Sequence, residues 1–106
     1  MKKIDVEAHF YTQEFQDYLR SRKEIPREEP YKGSIRLWYA PDVWEPHGPI
    51  IEERLLDLAE GRLKDMDEAG IETQVLSLST PGCDQFSPED GTALARKVND
   101  ELAEVV

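Results

Sequence analysis

The stretch that most limits how this chain can fold runs from Glu52 to Ser79. Leu55, Leu58, Ala59, Arg62, Leu63, Met66 and Ala69 fall along one stripe at helical spacing, with Glu60, Lys64, Asp67 and Glu68 largely off it. Gly70 supplies the left-handed residue that ends a helix. Thr73-Gln74-Val75-Leu76-Ser77-Leu78-Ser79 then reads as a buried strand, separated from the helix only by Ile71-Glu72. With an earlier strand at residues 4–10, the order is strand, crossover helix, strand, which predicts a parallel pair. Gly61 weakens the helix by up to about 1 kcal/mol relative to alanine and is expected to mark a close backbone approach. Met66 is core packing.

The earlier strand, Ile4-Asp5-Val6-Glu7-Ala8-His9-Phe10, alternates so that Ile4, Val6 and Ala8 point one way and Asp5, Glu7 and His9 the other. Glu7 and His9 are two residues apart, so their Cα atoms lie roughly 6.5 Å apart on an extended strand. Both heads can therefore converge on one cation at about 2.0 to 2.2 Å. A solvated edge of an antiparallel sheet carries the same pair of residue types, so the spacing permits chelation without requiring it.

From Tyr11 to Leu19 the apolar positions Phe15, Tyr18 and Leu19 predict a short helix whose first turn holds Thr12, Glu14 and Gln16. Residues 20–52 contain Pro26, Pro30, Pro41, Pro46 and Pro49, a density that predicts a long loop and no long regular element. Trp38, Tyr39 and Trp44 make it a packed loop, since disordered segments are poor in aromatics. His47 reads as a partly exposed turn histidine, with no polar partner in fixed register. Farther on, Thr80-Pro81-Gly82 ends the second strand. Ser87-Pro88-Glu89-Asp90 is a helix start with an N-cap serine, proline at the first position and acids in the first turn. Leu94, Ala95, Val98, Leu102 and Val105 carry the buried stripe of that helix. Its ending at Val105-Val106, without a C-cap, is expected of a gene fragment.

Composition narrows the partners. The net charge is −10, from 23 acidic against 13 basic residues, a balance that repels phosphate backbones and anionic lipid. Nucleic acid and membrane partners are not expected. No apolar run approaches a membrane span, and Met1-Lys2-Lys3 leads into a strand pattern instead of a signal-peptide core, so a cytoplasmic location is expected. Cys83, the single cysteine, cannot make an internal disulfide, and its neighbours Gly82 and Asp84 offer nothing to activate a thiolate.

The coarse order of strand, long loop, helix, strand, helix is that of an α/β chain, and specifically of the N-terminal portion of a (β/α)8 TIM-type barrel, incomplete in 106 residues because a closed barrel takes roughly 250. Residues 1–106 are thus read as one barrel fragment in which 11–52 form a helix plus a proline-rich loop insertion. Ile4 to Phe10, Arg62 to Ile71 with Val75 to Leu78, and Ala95 to Leu102 resemble the amidohydrolase-related family that includes the metal-dependent, non-oxidative decarboxylases of aminocarboxymuconate semialdehyde and of hydroxybenzoates such as γ-resorcylate. Glu7-Ala8-His9 is similar to the Glu-x-His form of the hydroxybenzoate decarboxylases.

The resemblance implies Glu7 and His9 as ligands of a divalent metal, zinc or manganese, with the remaining ligands and the catalytic residues on later strands outside this chain. It further implies a small-molecule carboxylic acid substrate and a homo-oligomer in the full-length protein. Ser79 and Thr80, at the end of the second strand, are weaker candidates for substrate contact. Two other readings stay open: a metal-dependent hydrolase of the same fold acting on an ester, lactone or amide, and a truncated remnant without catalysis.

Overall fold

The computed structural model describes residues 2–106. Strand β1 (Ile4–Phe10) is followed by helix α1 (Gln13–Ser21), strands β2 (Arg27–Tyr31), β3 (Ser34–Ala40) and β4 (Val43–His47), helices α2 (Pro49–Leu56) and α3 (Glu60–Ala69), strand β5 (Thr73–Leu78) and helix α4 (Pro88–Val105). β1 and β5 pair in parallel, as the strand, helix, strand order predicts. Gly70 caps α3 at φ 72°, with the following Ile71 amide bonded to the Met66 carbonyl. Thr12 caps α1 by accepting from the Phe15 amide at 3.1 Å, and Ser87 caps α4 by accepting from the Asp90 amide at 3.2 Å.

Four expectations need correction. First, residues 20–52 are not a long loop: β2, β3 and β4 form an antiparallel three-stranded meander and α2 follows it. The prolines are tolerated because of where they fall. Pro30 and Pro46 lie on the two outer strands, which each have one free edge, Pro41 sits in the turn after β3, and Pro49 opens α2.

Second, the stripe expected as one helix from Glu52 to Ala69 is two helices. The Asp57 carboxylate accepts from the Ala59 amide at 2.9 Å, a local side-chain bond that competes with the helical ladder and breaks it at 57–59. Gly61 marks a side-chain approach, because a Cβ there would fall 2.0 Å from Asp57 Oδ2.

Third, the alternation in β1 is interrupted. Asp5 pairs with Gln74 and Ala8 with Leu76, so one extra residue bulges from β1. Asp5 Oδ1 takes the Glu7 amide at 3.0 Å, holding the bulge. Ala8 and Phe10 consequently share the buried side with Leu76 and Leu78, whereas Ile4 and Val6 are exposed.

Fourth, β5 is not buried on both faces: Gln74, Leu76 and Leu78 are half-buried, and Thr73, Val75 and Ser77 face solvent. The core therefore sits elsewhere. Phe10, Tyr11, Phe15, Leu19, Leu37, Phe86, Leu94 and Val98 pack together where α1, β3 and α4 meet the end of β1. No residue of α2 or α3 is fully buried.

Candidate functional site

The two parallel strands run the same way, so their C-terminal ends lie side by side, joined by the bond from the Ser79 amide to the Phe10 carbonyl at 3.0 Å. His9 stands opposite Ser77 on the exposed face. Its Nε2 lies 3.7 Å from Glu7 Oε2, and both side chains are open to solvent. The bulge does not part them, because the extra residue lies before Ala8 and leaves the last three pairs of the ladder regular.

Two ligands about 2.1 Å from a tetrahedral cation stand about 3.4 Å apart. An oxygen and a nitrogen at the observed separation need only a small closure to share one, so this donor pair fits a divalent metal. Among the described residues no group of three histidine, cysteine, aspartate or glutamate side chains is gathered for metal binding. Glu7 and His9 thus provide two donors of a set that needs more.

The backbone under His9 is fixed by Arg62. Its guanidinium donates to the His9 carbonyl at 2.9 Å, to the Arg54 and Asp57 carbonyls at 3.1 and 2.7 Å, and to Gln74 Oε1 at 3.2 Å. Arg62 lies on the stripe read from the sequence, but it ties α2, α3, β5 and β1 together through hydrogen bonds, which an apolar stripe residue could not do. An open cavity of about 540 Å³ lies beside it, lined by His9, Arg54, Arg62 and Asp65 among others.

Beyond the strand ends lies a second polar group that sequence reasoning missed. Tyr11, just past β1, donates its hydroxyl to the Thr80 carbonyl at 2.6 Å. Tyr39 on β3 donates to Glu45 Oε1 and stands 3.1 Å from the Thr80 hydroxyl. With its one proton committed to Glu45, the Tyr39 oxygen accepts from Thr80. His47 Nε2 lies 2.8 Å from the same Glu45 oxygen, and since an ionised carboxylate only accepts, Nε2 carries the proton.

His47 is therefore not a partly exposed turn residue. It closes β4, is buried, and packs near the Tyr11 ring at 6.3 Å between centroids. The signal was present in the spacing: Glu45-Pro46-His47 repeats the Glu-x-His of residues 7–9, and two-residue spacing puts both side chains on one face of a strand.

Burial pushes the Glu45 carboxyl up, but hydrogen bonds from Tyr39 and His47 outweigh it, leaving it below the ordinary carboxylate range. Burial and the Glu45 charge raise the Tyr39 hydroxyl to about 12, so it stays a proton donor at neutral pH. Thr80 is committed to Tyr11 and Tyr39, and the Ser79 amide and carbonyl are both used within the strand end and its turn. Cys83 is half-buried, and burial with the neighbouring Asp84 pushes its thiol up, away from reactivity.

No family model matches the chain. Over 65 residues it is 45% identical to the γ-resorcylate decarboxylase of Rhizobium radiobacter, a match covering 59% of this chain and 18% of that protein. Over 56 residues it is 50% identical to the γ-resorcylate decarboxylase of Rhodococcus jostii (strain RHA1), covering 51% and 17%. The chain thus spans less than a fifth of these relatives.

In backbone it is similar to the IDCase of Metarhizium anisopliae in apo form, with a TM-score of 0.78 and 23% identity over 98% of this chain and 31% of that one. It is also similar to the 5-carboxyvanillate decarboxylase of Novosphingobium aromaticivorans in complex with manganese and 4-hydroxy-3-methoxy-5-nitrobenzoic acid, with a TM-score of 0.69 and 29% identity over 97% of this chain and 29% of that one. By sequence the chain is thus similar to γ-resorcylate decarboxylases over less than a fifth of their length, and in backbone it is similar to the corresponding part of the IDCase and of the 5-carboxyvanillate decarboxylase.

Proposed function

We propose that residues 1–106 form the first part of a (β/α)8 barrel whose intact protein is a metal-dependent, non-oxidative decarboxylase of a hydroxylated aromatic acid. The observation that carries this reading is the facing pair Glu7 and His9, 3.7 Å apart at the C-terminal end of a strand in a parallel pair. That end is where barrel enzymes hold their chemistry. The likeness to γ-resorcylate decarboxylases and to a manganese-containing decarboxylase supports the reaction class and a divalent cation, manganese or zinc.

In this reading Glu7 and His9 would hold the cation, and Arg62 fixes the backbone from which His9 projects. Bound there, the ion would supply positive charge to pair with a substrate carboxylate and a neighbouring hydroxyl. Glu7 favours a decarboxylase over a hydrolase, because a carboxylate ligand lowers the Lewis acidity available to make hydroxide from water. Ser79 and Thr80, at the end of β5, are the weaker candidates for substrate contact in this reading, with the Thr80 carbonyl and hydroxyl already engaged by Tyr11 and Tyr39.

Two measurements on the intact protein test this. Metal analysis of His9→Ala is expected to show loss of the bound cation, and stoichiometric metal at unchanged affinity would overturn the ligand assignment. Incubation with hydroxybenzoates is expected to release carbon dioxide, whereas hydrolysis of aryl esters or lactones with no carbon dioxide would move the reaction to the hydrolase class.

A further inference from the structure

We propose that Glu45 is a specificity-determining residue that accepts a hydrogen bond from a ring hydroxyl of the substrate, a hydroxyl other than the one beside the carboxylate. The proposal rests on the decarboxylase reading above and adds to it a recognition element on the meander.

Three features of the geometry point to it. Both donors that hold Glu45, the Tyr39 hydroxyl and His47 Nε2, approach the same oxygen, Oε1. The other oxygen is left for an outside donor on a side chain that is 47% exposed, while the His47 side chain behind it is only 10% exposed. A carboxylate pinned in this way has little rotamer freedom left to lose when a ligand binds.

The second feature is position. Thr80 hydrogen-bonds to Tyr39 through its hydroxyl and to Tyr11 through its carbonyl, which places the Tyr39 and Glu45 pair at the C-terminal ends of β5 and β1. Tyr11 lies two residues, about 7 Å of extended chain, beyond His9. Glu45 therefore stands at the same end of the fold as Glu7 and His9, outside the cavity beside Arg62.

The third feature is charge. Hydrogen bonds from Tyr39 and His47 keep Glu45 ionised, so it repels the substrate carboxylate and attracts a hydroxyl. With the carboxylate drawn to the cation and a hydroxyl drawn to Glu45, the ring is held in one orientation. A methoxy group at the same ring position has no proton to give and is rejected.

The test uses the intact, metal-loaded protein and equilibrium binding of each dihydroxybenzoate isomer against its mono-O-methyl ether. For one isomer the wild type is expected to prefer the hydroxyl by about tenfold or more, the discrimination expected of one charge-assisted hydrogen bond. Glu45→Gln keeps the shape, removes the charge and, with its oxygen held by Tyr39 and His47, turns a donor toward the ligand. It should therefore erase most of that preference by weakening the hydroxyl ligand, with no loss of affinity for the methyl ether. Tyr39→Phe, which removes one of the two donors to Oε1, should reduce the preference by a smaller factor.

Equal weakening of both ligands in Glu45→Gln would show a residue that only braces the fold and would overturn the proposal. So would an undiminished hydroxyl preference. If the wild type binds no hydroxybenzoate and releases no carbon dioxide from any, the decarboxylase reading fails and the proposal with it. If it releases carbon dioxide but Glu45→Gln discriminates like the wild type, the proposal alone fails.

Discussion

The chain carries the same tripeptide pattern twice, and the two copies have different fates. Glu7 and His9 stand on a parallel pair with their heads apart and open to solvent, whereas Glu45 and His47 on the antiparallel meander are hydrogen-bonded to each other with the imidazole buried. The surroundings differ in the same sense. The meander side buries Ile35 and Leu37 and even the polar Glu28, while the parallel pair leaves Ile4, Val6 and Val75 at half exposure or more.

The contrast follows from how sheets close. An antiparallel meander completes its own ladder through short turns and needs one face covered, which α1 and the core supply here. A parallel pair needs cover on both faces and strands on both edges, and two strands with α3 beside them provide neither. Side chains with partners at hand become structural in the first region. In the second they stay free to bind something else.

The largest effect expected from this contrast compares two leucines. Leu37 is fully buried on β3, and Leu37→Ala should cost about 2 to 5 kcal/mol in urea unfolding of the 106-residue chain diluted until it is monomeric. Leu63 on α3 is 58% exposed, and Leu63→Ala should stay within about 0.5 kcal/mol. Equal losses would mean that α3 contributes as much core as the meander.

A second expectation concerns the uncovered face. With Ile4, Val6, Leu63 and Val75 exposed, the 106-residue chain alone should self-associate, and Val6→Lys with Val75→Lys should raise its monomeric fraction in sedimentation. A monodisperse wild-type monomer with a sharp cooperative melt would break the comparison, because the parallel pair would then be closed as it stands.

The smallest effects are in pH dependence, and they have opposite signs on the two faces of the meander. Glu28 lies in the interior, bonded to Arg20 and Gln16 with Oε2 unpartnered, and burial raises its carboxyl above the ordinary 4.5 against the pull of Arg20. A raised acid is costly to ionise in the fold, so its penalty shrinks as pH falls from above its raised value to 4.5. Glu28→Gln should flatten that part of the stability profile.

Glu29, one residue on and facing outward, accepts from Trp38 and then Arg36 and Arg27, which lower it to about 2. Its contribution is present in full above the ordinary carboxylate value and is lost progressively as pH falls from 4.5 through about 2. Stability curves of the two Gln variants between neutral and strongly acid pH read both signs. A Glu28→Gln curve parallel to wild type would mean that the buried carboxylate is solvated.

What the sequence alone determined about this protein is everything carried by signals within a turn or two of chain. The caps at Thr12 and Ser87, the left-handed stop at Gly70 and the stripe of α4 at Leu94 and Val98, though not the exposed Val105, are legible because their physics is local. The parallel order of β1 and β5 is legible because a crossover helix between two strands favours it. So is the two-residue spacing that faces Glu7 toward His9.

Only the tertiary structure decided the rest. The prolines of residues 20–52 argue against strands until it is known that β2 and β4 lie at the edges of the sheet, where a missing amide proton costs no ladder bond. The bulge in β1 shows only in its register with β5, and the break between α2 and α3 depends on which way the Asp57 carboxylate turns. Glu45 and His47 gain their meaning from Tyr39, six residues from Glu45 and brought close by strand pairing, and from Thr80, 35 residues away at the end of the other sheet. Spacing along the chain says which side chains share a face, whereas partners across a sheet are chosen by the whole fold.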